Sequence, residues 1–178
     1  MRILGIDPGI GICGFGLIET GDVGFSARAL DFGVVTTVVD APMPERLKEL
    51  YESLKLVFEQ TKPEMVAVEK LFFSKNITTG IAVAEARGVV LLVAAQKNLP
   101  VYEYSPNEIK KALTGYGAAV KTQVQEMVRV TLNLEKKPKP DDAADALAAA
   151  ITCAFMYKSG KNDNYVFSNN RRAREKGC

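Results

Sequence analysis

Two short apolar runs in this chain each stop at an acid. Ile3-Leu4-Gly5-Ile6 ends at Asp7, and Met65-Val66-Ala67-Val68 ends at Glu69. Runs of this length and composition read as strands buried within a sheet. Each acid is then the last residue of its strand, at the carboxyl edge where open sheets bind their ligands. If the two strands are parallel neighbours, the carboxylates lie side by side. A second pair, Asp142 and Asp145, opens the Ala-rich run that follows Pro140, and a spacing of three places both on one helical face. Carboxylates set where a fold buries its core are costly unless a cation accompanies them. Hard oxygen donors of this kind suit Mg²⁺ or Mn²⁺. Two such ions can activate a water and hold the leaving oxygen of a phosphodiester.

Each acid also has a simpler reading. Asp142 and Asp145 stand at N-cap to N3 spacing, and an acid at a helix start is commonly a cap. Asp7, followed by Pro8 and Gly9, could be a turn residue. Glu69 could pair with Lys70 or a nearby Arg. These readings do not explain the conjunction of all four. Nor does capping explain Asp145, which sits among Ala143, Ala144, Ala146, Leu147 and Ala148 in a helix apolar nearly all round.

Composition narrows the chemistry. The 178 residues suffice for one domain with one core, and the chain contains no histidine. That removes Ser-His-Asp and Cys-His catalysis and every His-containing zinc site. Three scattered cysteines, Cys13, Cys153 and Cys178, form neither a metal cluster nor a disulfide framework and fit a reducing compartment. The opening apolar run is too short for a signal peptide, and no stretch is long enough to span a membrane, the longest covering residues 89–95. The expectation is a soluble, cytoplasmic protein. Net charge is only +2, but from Lys158 onward six Lys/Arg face two acids. Residues 158–178 are therefore expected to form a basic, flexible tail after a domain over 1–157. Such a tail either adds non-specific attraction to phosphate or merely solubilises.

The pattern along the chain predicts strands over 2–7, 14–19 and 29–39, joined by short turns into an antiparallel meander. A helix over 44–60 follows, with Leu47, Leu50, Tyr51, Leu54 and Phe58 on one face. Then come a strand over 65–69, a helix over 78–97 and a strand over 101–104. The next helix opens with Ser105-Pro106-Asn107-Glu108, an N-cap Ser with Pro at N1 and Glu at N3. A helix over 121–132, a Pro- and Lys-rich loop and the final helix complete the order. Three strands precede alternating helices and strands, with no internal repeat.

These residues carry a resemblance. Ile3-Leu4-Gly5-Ile6-Asp7-Pro8-Gly9 with Gly14-Phe15-Gly16, then Val68-Glu69-Lys70-Leu71-Phe72-Phe73-Ser74-Lys75-Asn76, Ala86-Arg87-Gly88 and Asp142-Ala143-Ala144-Asp145-Ala146-Leu147 resemble the RuvC family of bacterial Holliday junction resolvases. The similarity covers about residues 1–157, with the motifs in order. It implies an α/β, ribonuclease H-like fold: a five-stranded mixed sheet, meander plus parallel strands, flanked by helices. It further implies a homodimer that cuts four-way junctions in recombination and repair with Mg²⁺, two ions per site, Mn²⁺ as a substitute, and a branch-migration motor as partner.

By position the resemblance makes Asp7, Glu69, Asp142 and Asp145 the metal-binding carboxylates. Asp141 lies four residues before Asp145 and is a rival for the place of Asp142. Some family members carry a histidine in this last motif, and this chain has none, so hydrolysis would rest on carboxylates and metal. Phe72 matches an aromatic that reaches the junction centre, where it can stack on exposed bases, and Phe73 beside it leaves open which ring does so. The other reading packs these rings under their loop. Lys110 and Lys121 match lysines near the scissile phosphate, where a cation offsets charge in the transition state. As bare sequence each is a solvated surface lysine. Lys75, Asn76, Lys111 and Arg87 are weaker phosphate-contact candidates. By resemblance the long helix with Val83, Val90, Leu91 and Ala94 forms the dimer contact. Two further functions fit parts of the pattern: a non-catalytic junction-binding module of the same fold, and an actin-like nucleotide-binding lobe, whose phosphate loops also follow an apolar strand.

Overall fold

The structure, a computed structural model, describes residues 1–21, 26–70, 77–160 and 164–167. Strands β1 (Arg2–Asp7), β2 (Ile12–Thr20) and β3 (Ala27–Thr36) form the expected antiparallel meander. Helix α1 (Met43–Thr61) leads to β4 (Met65–Glu69), and α2 (Ile77–Gln96) leads to β5 (Val101–Tyr104). β4 joins parallel to β1, and β5 parallel to β4. Helices α3 (Pro106–Thr114), α4 (Lys121–Thr131) and α5 (Asp141–Lys158) follow, and β6 (Tyr165–Phe167) closes the order β3-β2-β1-β4-β5-β6.

The sheet thus has six strands among the described residues, not the five expected. β6 lies inside the segment assigned to a tail and pairs antiparallel with β5. The main-chain N–H of Glu103 donates to the carbonyl of Asn164, and the Asn164 amide donates to Glu108 at 2.8 Å.

Alternation along the strands separates two cores. Leu4, Ile6, Val66 and Val68 face Leu50, Leu54 and Phe58 of α1 and Ala86, Val90, Val93 and Ala94 of α2. Ile3, Met65, Ala67 and Tyr104 face α3, α4 and α5. The signals that frame these helices are local. α1 ends at Lys62, which takes a left-handed φ of 44° and donates its N–H to the Phe58 carbonyl. α3 begins with the predicted capping box, in which the Ser105 hydroxyl accepts the N–H of Glu108 while Glu108 accepts that of Ser105 at 2.7 Å.

α5 is buried almost throughout and lies directly on β1 and β2. Glycines make that approach possible. A Cβ added at Gly5 would run into the carbonyl oxygen of Ala146, and one at Gly14 into that of Asp142. Helix backbone therefore rests on strand backbone with no side chain between them.

α2 is largely apolar but divides its faces differently from the sequence expectation. Val90 and Ala94, read as dimer-contact residues, are fully buried against the sheet, while Ile81 and Leu92 are about half exposed, with Gly88 open between them. The period explains the difference, since 81, 88 and 92 share a stripe that 90 and 94 do not. Among the described residues no helix is long and apolar enough to cross a membrane.

Candidate active site

Ile6 stands opposite Val68 in the parallel β1–β4 ladder, so the residues that end these strands, Asp7 and Glu69, leave the sheet as neighbours. Both follow the alternation onto the face covered by α5. The glycine seam then sets the height of α5, and its first turns bring Asp142 and Asp145 over the same edge. The cap reading of this pair does not hold. α5 begins at Asp141, its N-cap is Pro140, and no side chain caps it. Asp142 and Asp145 are the second and fifth helical residues, within the helix.

The electrostatics show how close the acids stand. Burial first, then the charges of Glu69, Asp145 and Asp142, push the Asp7 carboxyl up from 3.8 to about 8, with Lys121 opposing. Burial and the charge of Asp145 raise Glu69 to about 7, against Lys121 and Lys110. Asp145 is raised by burial, while its hydrogen bond to Lys121 works the other way. Beside them the Cys13 thiol is pushed up to about 12, chiefly by burial, and stays an inert apolar group. Carboxyls buried this close together need positive charge to be ionised at once.

Part of that charge comes from α4. The Lys121 ammonium lies 2.8 Å from Asp145 and 3.6 Å from Asp141. With Glu69, Asp145 and Lys110 it lines a cleft of about 230 Å³, walled by Pro106, Ile109, Val124 and Ala148. This is smaller than the usual pocket for a whole nucleotide-sized ligand and suits a single phosphate group. Among the described residues no three His, Cys, Asp or Glu side chains are arranged to hold a metal ion, and Asp145 is paired with Lys121. The donor set nevertheless fits a hard divalent cation in kind: carboxylate oxygens only, partly buried and short of positive charge.

The other candidates divide. Lys110 lines the cleft, whereas Lys111 is exposed and borders a separate hollow with Asn107 and Gly117. Arg87 is not available to a phosphate. Its guanidinium is bound to the buried carboxylate of Glu103 on β5, which fastens α2 to the sheet. Phe72, Phe73, Lys75 and Asn76 lie outside the described residues. Sequence reasoning missed Lys139, which pairs with Asp141 at 3.2 Å and does most to lower its carboxyl, and the buried Gln125, which lowers it to a lesser degree. The available signal for Gln125 was its spacing of four from Lys121 on one helix.

Residues 3–153 match the family described as Crossover junction endodeoxyribonuclease RuvC, and all four acids fall inside that span. The chain belongs to the RuvC family. The RuvC of Thermomicrobium roseum is 49% identical over 157 residues, covering 88% of this chain and 94% of that relative. The solved RuvC of Thermus thermophilus superposes with a TM-score of 0.86 at 38% identity, covering 93% of this chain and 100% of that one. A second Thermus thermophilus RuvC structure, in complex with Holliday junction substrate, gives 0.84 at 36% identity with the same coverage. The ribonuclease H-like architecture is therefore the RuvC one.

Proposed function

We propose that this RuvC-family endonuclease resolves four-way (Holliday) DNA junctions by paired nicks that depend on a divalent metal. It does so as a homodimer acting on recombination and repair intermediates in the cytoplasm. The observation that carries this reading is the meeting of acids from three elements, Asp7 of β1, Glu69 of β4, and Asp142 and Asp145 of α5, beside a cleft that Glu69 and Asp145 line together with two lysines. A junction-binding module has no use for mutually repelling, partly buried carboxylates.

Asp7, Glu69, Asp142 and Asp145 would hold two Mg²⁺, or Mn²⁺ in their place, and the ions supply activation of water and neutralisation of the reacting phosphodiester. Lys110 and Lys121 face the same cleft and offset negative charge on the phosphate as it builds up. With no histidine in the chain, proton transfer falls to carboxylates and water. Phe72 or Phe73 stacks at the crossover, and Lys75, Asn76 and Lys111 contact the backbone. The stripe of Ile81, Gly88 and Leu92 on α2 packs against a second copy. A two-fold dimer gives two cleavage sites to match the approximate two-fold symmetry of a junction. A branch-migration motor would deliver the substrate.

The test is a synthetic four-way junction offered with Mg²⁺. Paired nicks near the crossover are expected, with linear duplex left intact. Asp7→Asn, Glu69→Gln, Asp142→Asn and Asp145→Asn should each abolish nicking while junction binding persists. Full cleavage by any of the four variants, or equal cutting of linear duplex, would falsify the assignment.

A further inference from the structure

Lys121 stands where a cation is poorly placed by its own helix. It is the first residue of α4, and a helix N-terminus carries partial positive charge. What holds it is a pair of carboxylates on α5 that lie four residues apart, and therefore one above the other on one face. The inner acceptor, Asp145, is 25% exposed, and the outer one, Asp141, is 44% exposed. Asp141 also pairs with Lys139 at 3.2 Å. A flexible ammonium already within ion-pair distance of both acceptors can move from one to the other by side-chain rotation alone.

We infer that Lys121 stands in for the cation's charge on Asp145 in the metal-free protein, and that Asp141 is the positioning residue that receives Lys121 when Asp145 turns to the cation. This rests on the metal-binding reading above. An ammonium and a divalent ion on one carboxylate repel each other, so the lysine must leave, and without a second acceptor its departure would cost an ion pair. Asp141 supplies that acceptor at the rim. Lys139 also holds its carboxylate, and Lys121 stays beside the cleft, where a phosphate would arrive. Asp141 is thus neither a fifth metal ligand nor an idle neighbour of Asp142.

The experiment is Mn²⁺ binding to the DNA-free, full-length protein, read from the electron paramagnetic resonance of the free ion. Lys121→Met, which removes the competing charge, should tighten binding about fivefold, the scale of one partly exposed ion pair. Lys121→Arg should bind as wild type does. Asp141→Asn should weaken binding by a similar factor in the wild-type background and by less than about twofold beside Lys121→Met, because the effect passes through the lysine. Equal weakening in both backgrounds would make Asp141 a simple remote anion and overturn the relay, as would unchanged binding in every variant. Absence of saturable Mn²⁺ uptake by Lys121→Met would instead remove the metal site itself, and the relay with it.

Discussion

Asp7 is where the electrostatic tension of the site is greatest. In the folded chain its carboxyl titrates at about 8, against an ordinary value of 3.8. Between those values the folded state keeps a proton that the unfolded state has released. Stability therefore falls as pH rises through the window, and the loss is complete above the folded value. Glu69, raised to about 7, adds to the same slope. Asp7→Asn removes the largest share. In a chelator, wild type should lose melting temperature from about pH 5 to pH 8, and the variant should lose less. Near pH 8 the variant should melt several degrees higher, at about 2–4 °C per kcal/mol for a chain of this length. Excess Mg²⁺ should raise the melting temperature of wild type and do little for the variant. Parallel melting curves for the two proteins across this range would mean that Asp7 is not strained by its surroundings.

At the scale of elements, the site depends on how close α5 can come to the sheet. Gly5→Ala places a methyl group against the backbone of Ala146, where no flexible side chain can yield. The helix must lift, and Asp142 and Asp145 lift with it. The variant should bind Mn²⁺ more weakly and nick junctions at least about tenfold more slowly, since small misplacements in a catalytic constellation are costly. Gly88→Ala, which meets nothing within 4 Å, should leave Mn²⁺ binding unchanged. Wild-type Mn²⁺ binding by Gly5→Ala would show that the seam does not set the position of the acids.

The same contrast separates what was legible in the sequence from what was not. β1 and β4 announce themselves by unbroken apolar runs, and α3 by Ser105, Pro106 and Glu108, because those signals are local. Once the strands are parallel neighbours, the pairing of Asp7 with Glu69 follows. The seam is not legible in this way, because Gly5 and Gly14 meet α5 only after more than a hundred intervening residues have folded. The same holds for Arg87, which offers its charge to solvent on paper but to Glu103 in the fold. β6 escaped because three residues in a polar segment give no periodicity to read.

For the whole molecule, the outer stripe of α2 sets the prediction. Leu92→Asp puts a charge on an exposed position, so the subunit should fold and melt nearly as wild type does. If α2 joins two copies, the same change should halve the mass seen by light scattering. It should also turn the product from a cruciform-bearing plasmid from linear molecules into nicked circles, since one site alone makes one cut. An unaltered mass would place the dimer contact elsewhere.

The direction of β6 has a practical consequence. It runs antiparallel to β5, so it starts beside Glu103 near the carboxylate edge and ends at Phe167 beside Val101, on the opposite edge. Phe167 itself therefore stands at the edge of the sheet away from the acids. A fluorophore coupled at the exposed position of Val166 on this strand would sit to the side of the acids rather than between them and the DNA.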